Sequence, residues 1–382
     1  MGITARGAGL LVAAVVLLAA GFRFAYPELT VLGAAAAVAV GYALLTAAWR
    51  PRLTVRRRAE PDRVARGEPA RMTLTVRNTG RLRAANLVAE DRCGDRTVPV
   101  PVLRLRPGRD TEVHYDVPTE RRGVVPVGPL RVTRRDPLGL VALARRYGEP
   151  VPVWVHPRVH PLNAVPTGAG RSLDGRVDSV AHGSITFDSL REYVVGDELR
   201  RVHWRTSARV GELMVRENVD TSLPRTVVLL DNRAAAHPDV VDGVAESFEA
   251  GCEAAASVVV AAIRADLPVT LLTVAAGSAD DGPPLDRLAA VRLVDGGADA
   301  LRDSTARLRQ ERLGDTLVFL TGPGGRADLG RLGTVRGAYP SVVVGVLAAG
   351  GPAPAGAAAG MVVIDAADGA TFAAEWDGIR RW

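Results

Sequence analysis

The chain has 382 residues, of which 47% are hydrophobic, 24% charged and only 4% aromatic. That composition excludes a disordered, collagenous or disulfide-stapled protein, and the length suits two or three domains with real cores. All 48 basic side chains are Arg, which reads as a high-GC coding bias, so Arg richness alone does not argue for nucleic acid. The distribution of charge says more: residues 50–150 hold 23 Arg against 12 Asp and Glu, residues 151–225 hold 10 against 9, and residues 226–382 hold 13 against 20. A basic segment follows the N-terminus and an acidic one closes the chain. Cys93 and Cys252 stand far apart with no CxxC, which favours two free thiols over a zinc ribbon or a redox pair.

Residues 29–49, LTVLGAAAAVAVGYALLTAAW, carry no charge. As a helix they span about 31 Å, the thickness of a bilayer's hydrocarbon core. Residues 7–22 form a second uncharged run, and only 23–28 separate the two, so they read as a transmembrane hairpin over 1–50. A cleaved signal peptide is the competing reading of the first run. No convincing small-x-small site precedes Pro27, and a second span follows at once. Arg50, Arg52, Arg56, Arg57 and Arg58 crowd the far end of the second span against a lone Arg23 in the loop. That bias predicts a plasma-membrane protein with both termini and all later domains cytoplasmic.

Short alternating segments fill 51–160: 72–77, 98–105, 111–117, 124–127, 130–134 and 151–155, separated by turn residues such as Asn78-Thr79-Gly80. About seven strands at this spacing predict an Ig-like β-sandwich. His114 lies in a strand pattern without a partner and reads as a structural or surface histidine.

Residues 161–225 differ in character. A Gly-, Ser-, Asp- and Pro-rich linker leads into FDSLREYVVGDELRRVHWRTSAR, dense in charges of both signs. One reading is an active site, with His203 as base, Asp197 or Glu198 orienting it and Ser207 as nucleophile. The other is a docking element held by Arg–carboxylate forks. There is no GxSxG elbow and no glycine-rich oxyanion loop near Ser207.

From 226 to the end, strands and helices alternate. Residues 226–231, TVVLLD, form an apolar run typical of a strand buried on both faces. Val241, Val244, Phe248, Cys252, Ala255, Val259 and Ile263 predict a helix of about six turns. Strands are predicted at 267–274, 316–320, 341–347 and 361–365, and helices at 301–313, 327–337 and the tail. This order predicts a doubly wound, mostly parallel sheet, with ligand positions in the loops after Leu230 and Leu320. Neither loop is a phosphate cradle, since GxxxxGK[ST] is absent and the chain has no Lys.

The run LREYVVGDELRRVHWRTSARVGELMVRE, 190–217, resembles the signature of the bacterial "domain of unknown function 58" family, and RRGVVPVGPLRVTRRDPLGL, 121–140, resembles that family's upstream block. With the hairpin and the last domain, the likeness covers almost the whole chain. It implies a von Willebrand factor A-like fold for 226–382. Such domains often hold Mg²⁺ through a DxSxS loop; here Asp231 matches the first position, but Arg233 and Ala235 replace both serines, and Thr321-Gly322 stands where an Asp is expected. A cationic Arg opposes a hard cation, so the site around Asp231 and Thr321 reads as degenerate. The resemblance also implies, by association, a MoxR-type AAA+ ATPase partner and a membrane transglutaminase-like protein.

The leading expectation is therefore a non-enzymatic, membrane-tethered adaptor with no cofactor and no metal, acting in assembly of envelope or secreted complexes. A hydrolase using His203, Ser207 and nearby carboxylates comes second, and a nucleic-acid binder using the basic segment third. The interaction or domain-docking signature comprises Arg191, Tyr193, Gly196, Asp197, Glu198, Arg200, Arg201, His203, Trp204, Arg205, Ser207 and Arg209. Arg and Trp are hot-spot residue types. An exposed interface and an internal clamp both fit the sequence.

Overall fold

Two apolar helices lead the computed structural model, which describes residues 2–48, 53–80, 87–100, 108–166, 187–193, 202–219, 224–275, 282–347 and 360–379. Helix α1 (Ala5–Phe24) is capped by the Thr4 hydroxyl, which accepts from the Gly7 amide, and closes on Ala25 in left-handed conformation. Helix α2 (Pro27–Ala48) opens on a proline that needs no amide donor there. Both are long and apolar enough to cross a membrane. Glycines let them approach closely: a Cβ on Gly21 would lie 2.4 Å from the Thr30 hydroxyl, and one on Gly33 2.8 Å from the Leu18 side chain.

The chain divides into two compact units, Met1–Pro157 with Asp281–Ala290, and Arg158–Asp280 with Val291–Trp382. In the first, strand β1 (Gly2–Ile3) precedes the hairpin. After it come β2 (Leu53–Glu60), β3 (Arg63–Ala65), β4 (Ala70–Asn78), β5 (Leu87–Cys93), β6 (Arg96–Val100), β7 (Asp110–Val117), β8 (Gly123–Val127), β9 (Leu130–Arg135), β10 (Val141–Tyr147) and β11 (Val151–His156). Strands β2, β4 and β7 form a three-stranded antiparallel sheet; the others join an eight-stranded sheet in the order β1-β10-β9-β5-β8-β11-β3, with β6 on β5. Met72, Leu74 and Val76 alternate into the interior from β4 and pack on Val127 and Val153, and on Leu130 and Val132, of the larger sheet. The expected segments 72–77, 111–117, 124–127, 130–134 and 151–155 fall inside strands. The segment 98–105 is a strand as far as Val100, and 101–107 lie outside the described residues. His114 is at the surface, 3.1 Å from the Thr73 hydroxyl.

The second unit holds β12 (Phe187–Glu192), α3 (Trp204–Val210), β13 (Met214–Val219), β14 (Thr226–Leu230), β15 (Val240–Val241), β16 (Val244–Ala245), α4 (Glu246–Arg264), β17 (Val269–Thr273), α6 (Ala298–Glu311), β18 (Thr316–Thr321), α7 (Leu329–Leu332), β19 (Ser341–Leu347), β20 (Val362–Ala366) and α8 (Gly369–Gly378). Helix α5 (Pro284–Ala290) belongs to the first unit. A five-stranded sheet runs β17-β14-β18-β19-β20, every pair parallel. Val227, Leu229, Leu317 and Phe319 pack with Leu301 and Leu308 of α6 on one face. Helices α4 and α8 cover the other, where Phe372 seats against Gly345, at which a Cβ would lie 2.8 Å from the ring.

Two helix expectations are corrected. The predicted stripe from Val241 to Ile263 becomes a helix only at Glu246, because Asp242 and Gly243 both adopt positive φ and fold Val240–Ala245 into a tight hairpin. The helix expected at 327–337 is broken into a 3₁₀ segment, the single turn of α7 and another 3₁₀ turn. Gly330, Gly333 and Gly337 each weaken an α-helix there by about 1 kcal/mol.

Candidate functional site

The signature segment folds as two antiparallel strands flanking a short helix. Strand β12 pairs with β13 from Phe187↔Val219 to Glu192↔Met214, placing Arg191 opposite Val215. Tyr193 continues β12, its amide donating to the Leu213 carbonyl at 2.8 Å. Helix α3 lies between the strands. His203 is its N-cap: ring Nδ1 lies 3.2 Å from the Thr206 amide and 2.8 Å from the Thr206 hydroxyl. Ser207 is buried, donates its hydroxyl to the His203 carbonyl at 3.1 Å and accepts from the Met214 amide at 2.8 Å. The proton of Ser207 thus points at a backbone oxygen and not at the His203 ring, an arrangement that fastens helix to strand and differs from a nucleophile–base pair. Gly196, Asp197, Glu198, Arg200 and Arg201 lie outside the described residues.

The outer surface of α3 faces solvent. Trp204 is 63% exposed, Arg205 and Arg209 are exposed, and Val210 and Leu213 add apolar surface beside them. Tryptophan and arginine together at an open position form a surface with the composition of an interface hot spot. Nearby, Glu192 and Glu212 share a hydrogen bond, and that bond with its like charge pushes the Glu212 carboxyl above its usual range.

A second polar cluster stands at the carboxyl ends of β14 and β18, where the order of the parallel sheet reverses. Asp231 is fully buried. Arg233 grips it with a two-pronged pair, Nε to Oδ1 at 2.8 Å and a terminal nitrogen to Oδ2 at 2.7 Å, and the same nitrogen reaches Asp328 at 3.0 Å. The Thr321 hydroxyl donates to Asp231 Oδ2 at 2.8 Å. The hydrogen bonds it donates to Asp231 push the Arg233 guanidinium further from deprotonation, against the opposing pull of burial. The Mg²⁺ that the resemblance implies needs the Asp231 oxygens, and a guanidinium already holds them both. These residues do not fit a metal.

Sequence reasoning missed the adjoining chain of His237, Ser247 and Asp239. His237 is fully buried, with Nε2 2.8 Å from the Asp231 carbonyl and Nδ1 2.8 Å from the Ser247 hydroxyl. A carbonyl only accepts, so the proton of a neutral ring belongs on Nε2. Asp239 accepts the Ser247 amide and lies against the same residue's hydroxyl, whose single proton serves both Asp239 and the His237 Nδ1; it caps α4 from outside the helix, where Ala245 offers no side-chain cap. Burial pushes the His237 ring below its usual value, while Asp239, despite partial burial, is held below its own by the Ser247 bonds. With both ring nitrogens bonded inside the fold, His237 braces the loop after β14. Spacings of two and eight residues fit no local motif; only the fold brings the three together.

No curated protein matches the chain. Among solved structures, the CARDB domain of a Pyrococcus furiosus protein in complex with di-metal ions is 17% identical, covering 28% of this chain and 91% of that one at a TM-score of 0.20. A mutant β-glucosidase from Listeria innocua in complex with laminaribiose is 11% identical over 28% of this chain and 16% of its own, TM-score 0.18. Cwp6 from Clostridium difficile is 12% identical over 78% of this chain and 37% of its own, TM-score 0.16. Likenesses this slight leave the chain to be read from its own residues. The model of the family described as "Protein of unknown function DUF58" matches residues 189–284, a stretch that takes in the signature segment with α3, the Asp231–Arg233 pair and the His237 chain.

Proposed function

We propose that the protein is a non-enzymatic, membrane-tethered adaptor that docks a partner on the α3 surface of its DUF58 segment. The observation that carries this reading is the exposure of Trp204 together with Arg205 and Arg209, residue types enriched in interface hot spots. The two apolar N-terminal helices supply the tether. In this reading the protein sits in a bacterial plasma membrane as a two-span hairpin with its termini and folded units cytoplasmic. The β unit is an Ig-like sandwich of the binding type, and the parallel-sheet unit is von Willebrand factor A-like. The partner is a MoxR-type AAA+ ATPase, with a transglutaminase-like membrane protein as a further member, in assembly or maturation of envelope or secreted complexes.

The test is affinity capture of the tagged full chain from its own bacterial membranes, with and without ATP. An AAA+ ATPase should be recovered in a nucleotide-dependent way and be lost with Trp204→Ala or with Arg205→Glu/Arg209→Glu. Recovery of the protein alone, in every detergent and nucleotide state, overturns the adaptor reading.

A further inference from the structure

We propose that Arg233 is the resident cation of the β14 loop: its guanidinium takes the place of a divalent ion among Asp231, Asp328 and Thr321, so the loop binds metal only when Arg233 is removed. The argument starts from charge. Two carboxylates converge on one guanidinium nitrogen, Asp231 at 2.7 Å and Asp328 at 3.0 Å, and their side chains are 0% and 17% exposed. A buried carboxylate must be paired or neutralised. The Arg233 side chain is itself 3% exposed, so the pairing is internal and no soluble counterion competes for it.

What surrounds the guanidinium is oxygen: both atoms of Asp231, one of Asp328, and beside them the Thr321 hydroxyl on Asp231. Carboxylate oxygens converging on one point, with a hydroxyl bonded to one of them, are the donor types a hard divalent cation takes, and here that point holds a nitrogen. The loop is also held rigid without any ion. The Asn232 side chain is bonded twice to Ala275, and the His237 ring to the Asp231 carbonyl. Gly325 is pressed so close to Thr321 that a Cβ there would lie 2.0 Å from the hydroxyl. A geometry kept this way does not depend on metal for its shape, only for its charge, and Arg233 supplies the charge.

The experiment uses the full chain in detergent, with thermal unfolding followed in EDTA and in millimolar Mn²⁺, and bound Mn²⁺ counted by electron paramagnetic resonance. The native protein should unfold at the same temperature in both and bind no Mn²⁺ that depends on Asp231. Arg233→Ser should unfold on the order of 10 °C lower in EDTA, as expected for a broken buried pair. It should regain most of that loss in Mn²⁺, with an ion bound that disappears when Asp231→Asn is added. Arg233→Lys keeps a cation without the fork, and should fold and stay indifferent to Mn²⁺. Mn²⁺ bound by the native chain and lost with Asp231→Asn overturns the proposal. So does a folded Arg233→Ser that takes up no ion, or an Arg233→Lys that fails to fold or binds one.

Discussion

Arg57 and Asp91 show how much one residue pair governs in the β unit. Their side chains are 1% and 0% exposed, the guanidinium meets the carboxylate at 3.0 and 3.1 Å, and the Tyr115 hydroxyl donates to the same carboxylate at 2.6 Å. Removing one partner strands the other in the interior, so Asp91→Ala should cost about 3–5 kcal/mol. Arg57→Met/Asp91→Leu, which removes both charges, should cost less than either single change. Urea titration of the three variants checks this; a double variant as unstable as the sum of the singles would contradict it. The same cluster silences a thiol. Burial, then the neighbouring Asp91 charge, push Cys93 up to about 11, with Arg57 opposing. Cys93 should therefore resist iodoacetamide at pH 8 until the protein unfolds, and rapid native labelling, read by mass spectrometry, would show the site to be open. At this scale the sequence was readable by residue type and not by environment. Arg200, Arg201, Arg205 and Arg209 with Asp197, Glu198 and Trp204 stand out by type as a working surface, but nothing in the string says which are exposed; of these, Trp204, Arg205 and Arg209 lie among the described residues. Ser207 and His203 invite a catalytic reading, and no residue type in the string shows that the Ser207 hydroxyl bonds the His203 carbonyl and the Met214 amide.

Elements were legible where burial is uniform and opaque where it is mixed. Strands β14, β18 and β19 bury nearly every residue, so unbroken apolar runs gave them away. Strand β2 reads LTVRRRAE, because one of its inward positions is Arg57 paired with Asp91, and a charged inward position erases the alternation by which strands are found. Helix α5 was invisible for another reason: what holds it comes from far away in sequence. Arg63 meets both oxygens of Asp286 at 3.0–3.2 Å, the His156 ring lies 2.7 Å from one of them, and Arg122 donates to the last carbonyls of the helix. Burial alone would raise the Asp286 carboxyl, but the bonds from Arg63 and His156 outweigh it and hold the group below its usual value. A carboxyl depressed on folding stabilises above its unfolded value of about 3.9 and loses that contribution as pH falls through the lower folded value. Asp286→Asn should therefore unfold at a lower temperature than the native chain at pH 6, and the gap should close near pH 3. A gap of unchanged size at pH 3 would show that the shape of the side chain, and not its charge, holds α5.

Seen whole, the first unit ties the helical hairpin to the β-sheets beside Leu140. Thr4 bonds to Gly139 and Leu140, and β1 pairs with β10. A Cβ on Gly7 would strike the Leu140 carbonyl at 2.1 Å, and Ala43 of α2 packs with Leu140, Val141 and Leu143. The entry of α1 and the exit of α2 therefore lie beside the same turn, held by Asp136 through the Leu138 and Val141 amides. If both helices cross a bilayer, the N-terminus and the sheets must share a side, and the turn at Ala25 and Tyr26 must reach the other. Charge selects which side is which. Arg56 and Arg58 remain exposed below α2 while Arg57 is committed to Asp91, and only Arg23 stands near the far turn. The prediction is that Tyr26→Cys, at a position 58% exposed, is labelled in intact cells by a membrane-impermeant maleimide, whereas Leu138→Cys, 51% exposed, is labelled only after permeabilisation. The native thiols, Cys93 and Cys252, are both buried and leave the background low. Labelling of Leu138→Cys from outside would reverse the orientation and, with it, remove a cytoplasmic ATPase from reach. Labelling of both positions in intact cells would mean that the two helices do not span the bilayer as a pair, and that their apolar faces are covered by something other than lipid.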